Sequence, residues 1–323
     1  MKQALSLTTD PIPQLIWRIA LPMSVGMFFN TMFNVVDTLC AGWLGTESLA
    51  ALSLSFPLYF VVFAMGSGIS QGTTALLANA LGAGHAAEAR RVFAQSLVFA
   101  TTAGVLLSIV GWLAAPGLFR LLGAEGSYLN TVLDYMHVIL AGGVFFLLPM
   151  ILNSALSALG TTWVYRNFLI VGFVANIVLN PVLMWGWTGL PAMGVGGIAL
   201  ATVLVQMGGG LFLWSHVSRA HYCCDLRRAD FKPDLQVLRR IAGQAIPAAL
   251  NMLTISLGVF VITWFVKHFG KEAVAATGIA TRVEQIVLMP AIGLNSAVLS
   301  IVGQNHGAGL SHRVREAWVT NVK

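Results

Sequence analysis

Long apolar stretches recur along the chain, separated by short polar turns. No Asp, Glu, Lys, Arg or His occurs at 48–84, 92–119, 138–165, 167–215, 241–266 or 285–305. A helix needs roughly 20 apolar residues to cross a bilayer, and each of these runs is long enough. The run at 167–215 is too long for one helix, and Gly186, Gly189 and Pro191 interrupt it near its middle. Two spans joined by a short turn are therefore expected there. A further span, Leu15 to Cys40, carries Arg18 at its start and Asp37 near its end, too long and too charged at its far end to be a cleaved signal peptide. The pattern predicts an all-α integral membrane protein, a polytopic bundle with eight helices.

Composition supports this reading. The chain is 57% hydrophobic and 9% charged with a mean hydropathy of +0.80, whereas soluble domains carry about 25% charged residues. The net charge of +6 matters by position. With the N-terminus inside, alternating loops place fourteen basic residues on the cytoplasmic side: Lys2, Arg18, Arg90, Arg91, Arg166, Arg219, Arg227, Arg228, Lys232, Arg239, Arg240, Arg313, Arg315 and Lys323. Four lie outside: Arg120, Lys267, Lys271 and Arg282. This asymmetry predicts a multi-pass protein with a cytoplasmic N-terminus. Basic charge spread over short loops between spans excludes a nucleic-acid partner. Cys40, Cys223 and Cys224 form no disulfide framework and read as free thiols.

The sequence also repeats. At the offset that brings Pro22 onto Pro247, 225 residues, Gly45 falls on Gly270, Glu47 on Glu272, and Ala50-Ala51 on Ala275-Ala276. Gly68 falls on Gly293, Gly82-Ala83-Gly84 on Gly307-Ala308-Gly309, and Arg90 on Arg315. Prolines, glycines and charges carry the match, and they act through backbone geometry and topology. Six spans separate the copies, an even number, so both cross the bilayer in one direction as parallel repeats. The expected organisation is an N-terminal six-helix lobe (1–218), a basic cytoplasmic linker (219–240), and the first two helices of an incomplete C-terminal lobe (241–323). Two full copies would need about 450 residues, so about four spans of the repeat are expected to be missing.

Asp37 is the one carboxylate placed inside the hydrocarbon region, where acids are costly and tend to serve ions or protons. Its repeat partner is Ile262, so the lobes differ in chemistry. Asn176 and Asn180, four apart, share one helical face; Asn153 sits in the fourth span and Thr202 in the sixth. Such groups often bond other helices; with Asp37 they would also supply oxygen ligands to a proton or small cation. Pro22 and Pro247 each interrupt a span, as a hinge or as a static kink. The Gly-Ala-Gly turns lack the Lys-Ser/Thr of a nucleotide P-loop. Asp134 with His137, and Arg282 with Glu284, read as interfacial anchors, and the 18 Phe, 9 Trp and 12 Met as lipid-facing, packing or adaptable-pocket residues.

Several stretches together resemble the multidrug and toxic compound extrusion (MATE) family. They are Ala20-Leu21-Pro22 leading to Asp37, Gly42-Trp43-Leu44-Gly45, Asn176 to Asn180, Gly194-Val195-Gly196-Gly197, and Gly303-Gln304-Asn305-His306-Gly307-Ala308-Gly309. The resemblance covers the whole chain and implies a twelve-helix transporter of two six-helix lobes. It implies an antiporter, not an enzyme, exporting organic cations and amphipathic drugs in exchange for inward H+ or Na+. No cofactor or metal is implied beyond that coupling ion, and the protein is expected to act as a monomer in the lipid bilayer, at the bacterial cytoplasmic (inner) membrane. Asp37 would be the coupling acid of the N-terminal lobe, Asn176, Asn180 and Thr202 its neighbours, and the bend at Pro22 would report its protonation. Some relatives carry an acid where Asn180 stands, which leaves the ion open. Others carry one on the seventh span where this chain has Ile255, which points to the DinF-like and NorM-like bacterial branch. The alternatives are a lipid or oligosaccharide flippase, a receptor or channel, and an inactive truncated transporter. No Lys or Arg lies mid-span to hold an anionic head-group, and the duplication speaks against a channel.

Overall fold

A computed structural model describes residues 6–189, 191–220, 226–266 and 290–322. Cys223, Cys224, Lys267, Lys271, Arg282 and Glu284 lie outside them, as do Gly270, Glu272 and Ala275-Ala276 of the repeat. Among the described residues every long element is helical. The helices are α1 (Ile12–Leu44), α2 (Thr46–Gly82), α3 (Ala86–Leu121), α4 (Gly126–Ala141), α5 (Gly143–Ala158), α6 (Trp163–Trp185), α7 (Gly194–Val217), α8 (Leu235–Val266), α9 (290–307) and α10 (Ser311–Val322).

Five of them, α1, α2, α3, α6 and α7, are each long and apolar enough to cross a membrane alone. The fourth expected span is two helices, α4 and α5, bent by 46° at a one-residue break. Gly142 sits at that break because a Cβ there would lie 2.5 Å from a methyl of Val203 on α7. Apolarity alone could not show the bend, since both halves are hydrophobic. The long run divides where the glycines and proline predicted: α6 stops at Trp185, and Gly186 caps it in the left-handed conformation at φ 72°, which glycine adopts without a steric penalty. α8 begins at Leu235, inside the expected linker, because the Asp234 carboxylate accepts from the first-turn amide of Gln236 at 2.9 Å.

Helices that all carry apolar surface need a second rule to decide which face packs inward. Small residues supply it, as is usual where lipid removes the hydrophobic contrast. Gly26 brings α1 to within van der Waals reach of Arg166 and Leu169 on α6, and Gly197 brings α7 onto the Leu183 backbone of α6. Gly209 makes room on α7 for the Phe168 ring. Large apolar side chains such as Leu113, Leu121, Leu211 and Trp17 are left pointing outward. One core fills the bundle from α1 to α8; a second, built on Ile12, Leu15, Ile16 and Ile19 with Ala297 and Ile301, joins the start of α1 to α9.

Candidate functional site

The small-residue contacts of α1 with α6, and of α6 with α7, bring three polar positions to one buried point. Asp37 lies on α1, two turns before its end, and is 6% exposed. Asn176 and Asn180 on α6 are fully buried, and Thr202 on α7 is nearly so. Asn176 Nδ2 and Asn180 Nδ2 each donate to Asp37 Oδ1 at 2.8 Å. Thr202 Oγ1 lies 3.2 Å from Asp37 Oδ2 and 3.1 Å from the Ile198 carbonyl. Asn180 Nδ2 also reaches Asn176 Oδ1 at 3.3 Å, while Asn180 Oδ1 is buried without a hydrogen-bond partner. An unpaired buried acceptor is costly. Beside a carboxylate, it offers a neutral oxygen to a cation.

Four of the five residues selected from sequence therefore meet. Asn153 does not: buried on α5, its side-chain oxygen accepts from Ser157 at 3.3 Å. Its i,i+4 partner turns the amide along its own helix. Among the described residues no three His, Cys, Asp or Glu come together. The site thus has one charged ligand and neutral oxygens, a donor set for a proton or a monovalent cation rather than a tightly held transition metal. Pro22 and Pro247 lie inside α1 and α8. The repeat partner of Asp37, Ile262, is 56% exposed on α8.

A small crevice lies on the same faces, lined by Asn30, Phe33, Asn34, Tyr59, Phe168 and Gln206 among others. Sequence reading passed over its amides. Their signal was spacing: Asn30, Asn34 and Asp37 follow at steps of four and three on α1, and Gln206 lies four after Thr202 on α7.

A multi-pass helical membrane protein with one buried, hydrogen-bonded carboxylate among its spans has the build of a membrane transporter. The sequence model of the MatE family matches residues 22–182 and 247–323. The chain belongs to this family, the multidrug and toxic compound extrusion efflux transporters. It is 30% identical to the FAD transporter of Shewanella oneidensis, covering 100% of this chain and 72% of that one. It is 28% identical to the probable multidrug resistance protein YoeA of Bacillus subtilis (93% and 67% covered) and 28% to NorM of Thermotoga maritima (94% and 66%). Among solved structures it matches an outward-facing multidrug resistance MATE transporter at TM-score 0.91 and 28% identity, covering 100% of this chain and 71% of that one. A transporter from Pyrococcus furiosus, described as having a binding pocket of reverse polarity, matches equally at TM-score 0.91 and 28% identity, with the same coverage. MATE structures in bent and in straight conformations both match at TM-score 0.90. The chain spans 66–72% of the lengths of the relatives named here.

Proposed function

We propose that this chain carries the ion-coupling lobe of an antiporter that exports organic cations and amphipathic compounds in exchange for inward H+ or Na+, with Asp37 as the coupling acid. The observation that carries the reading is the convergence of Asn176, Asn180 and Thr202 on one buried carboxylate. The bias of basic residues toward one set of loops supports a cytoplasmic N-terminus, and the family resemblance supports the bacterial inner membrane as the site of action.

The geometry supports a proton exchange without loss of hydrogen bonds. With Asp37 ionised, both amides and the Thr202 hydroxyl donate to it. A proton arriving on Oδ2 turns that oxygen into a donor toward Thr202 Oγ1, and the Thr202 hydroxyl proton swings to the Ile198 carbonyl. The same pocket offers a sodium ion one carboxylate oxygen and, after rotation of the amides, Asn176 and Asn180 oxygens, which suit a hard cation. A substrate that reached this pocket would compete with either ion, so that loading one releases the other.

The test is efflux of a fluorescent cation from proteoliposomes holding the chain, under a proton gradient and, separately, a sodium gradient. Gradient-driven efflux that Asp37→Asn abolishes supports the reading; efflux unchanged by that substitution overturns it. Flippase activity would appear instead as scrambling of labelled anionic lipid.

A further inference from the structure

The basic segment that leads into α8 takes no part in the ion site, and its charges are sorted. Its two acids are turned inward: Asp230 pairs with Arg90 at 3.0 Å, and Asp234 pairs with Arg91. Arg240 is engaged by Glu88 at 2.9 Å. Arg227, Arg228, Lys232 and Arg239 are exposed and form no ion pair with a described residue. Two large apolar side chains stand among them, Phe231 at 37% exposure and Leu235 at 80%. Leu235 and Arg239, four apart in the first turns of α8, share a helical face.

The segment is also held in one shape. Gln95, fully buried on α3, donates to the Asp230 and Lys232 carbonyls at 2.7 Å each and accepts from the Asp234 amide at 3.0 Å. Three pinned backbone groups fix the positions from which the cations extend. The internal repeat shows that the scaffold itself does not require those cations. The offset that maps Pro22 onto Pro247 puts Arg228, Lys232 and Arg239 on Gln3, Leu7 and Gln14, and Leu235 on Asp10. Leu7 is buried in the first copy where Lys232 is exposed in the second.

Helix α8 sets the depth at which this segment lies. It runs for 32 residues, about 48 Å, and its charge-free stretch at 241–266 covers the roughly 30 Å of a hydrocarbon core. The turns before residue 241 therefore reach the headgroup layer. Cations without carboxylate partners, set beside apolar side chains, match a phosphate that sits above acyl chains. We propose that residues 227–239 bind an anionic phospholipid: Arg228, Lys232 and Arg239 hold its headgroup phosphate, and Phe231 and Leu235 lie against its upper acyl chains. The site stands outside the ion pocket and depends neither on Asp37 nor on the coupling ion.

Native mass spectrometry of the purified chain, titrated with phosphatidylglycerol or with phosphatidylcholine of the same acyl chains, tests the site without gradient or substrate. Phosphatidylglycerol should bind at least about tenfold more tightly. Lys232→Gln combined with Arg239→Gln should weaken that binding by about tenfold or more, at roughly fivefold for each cation removed. Arg18→Gln combined with Arg315→Gln, two exposed arginines elsewhere on the chain, removes the same charge and should leave binding within about twofold. Leu235→Ser should weaken it severalfold. All these side chains are exposed, and a thermal melt checks that each variant folds. Equal binding of the two lipids, equal loss in the two double variants, no loss in Leu235→Ser, or displacement of the lipid by equimolar inorganic phosphate would overturn the proposal.

Discussion

The Thr202 hydroxyl stands between two acceptors, 3.2 Å from Asp37 Oδ2 and 3.1 Å from the Ile198 carbonyl, with one proton to give. It can follow the charge of Asp37 without moving its helix. Thr202→Val keeps the shape and removes the swap, so gradient-driven efflux should fall about tenfold, the worth of one hydrogen bond of about 1.4 kcal/mol. Thr202→Ser, which restores the hydroxyl, should recover most of it. Equal rates in both variants would remove Thr202 from the mechanism.

Asn180 holds Asp37 through Nδ2 and leaves its Oδ1 unpaired. Asn180→Leu removes a donor from a buried carboxylate and should cost about 1–3 kcal/mol of stability. It should also abolish any dependence of efflux on sodium. A thermal melt and efflux under a sodium gradient check the two halves.

Gly197 lets α7 lie on the Leu183 backbone of α6, the contact that carries Thr202 toward Asp37. Gly197→Ala should lower stability by about 1–3 kcal/mol through overpacking. Gly208→Ala, on the same helix with nothing within 4 Å of its added carbon, should raise stability by up to about 1 kcal/mol. Opposite shifts in melting temperature are the expected result.

Glu88 at the start of α3 accepts from Arg240 at 2.9 Å, and that guanidinium holds its carboxyl below the usual range. A lowered folded-state value means that the pair's stability is present above the unfolded carboxyl range and is lost as pH falls through the lower, folded one. At 39% exposure the gain is screened, so Glu88→Gln should cost at most about 1 kcal/mol at neutral pH and nothing in acid. Melting temperature against pH for both proteins checks the sign.

If Pro22 is a hinge, Pro22→Ala should raise the melting temperature, since proline costs a helix interior about 3 kcal/mol relative to alanine. It should also slow efflux. Unchanged efflux would make the proline a static kink.

Much of the fold was legible because the bilayer imposes a length on every apolar run, and because glycine and proline mark where runs break. The split at Gly186 followed from this. The bend between α4 and α5 did not, because both halves are apolar and the close approach of Gly142 to Val203 joins residues some sixty positions apart. At the site, Asn176 and Asn180 were readable as one helical face and Asp37 as a costly acid in lipid. Their meeting depends on glycines 26 and 197, whose close contacts no periodicity reports. Asn153 has the same residue type as its α6 counterparts and is also buried, but α5 packs on α2, α3 and α7 rather than on α1, where Asp37 lies. The repeat was visible as matched glycines and prolines, but that Gly82 meets the Gln304 carbonyl and Gly307 the Asn79 carbonyl could be read only from the coordinates.

The most direct test of the coupling role is efflux of a fluorescent cation from proteoliposomes, comparing the chain with Asp37→Asn under separate proton and sodium gradients. One gradient should drive efflux by the parent chain and neither should drive it in the variant, which should remain folded by thermal melt. Efflux by Asp37→Asn at the parent rate, with the same ion dependence, would contradict it, as would a parent chain that neither gradient drives.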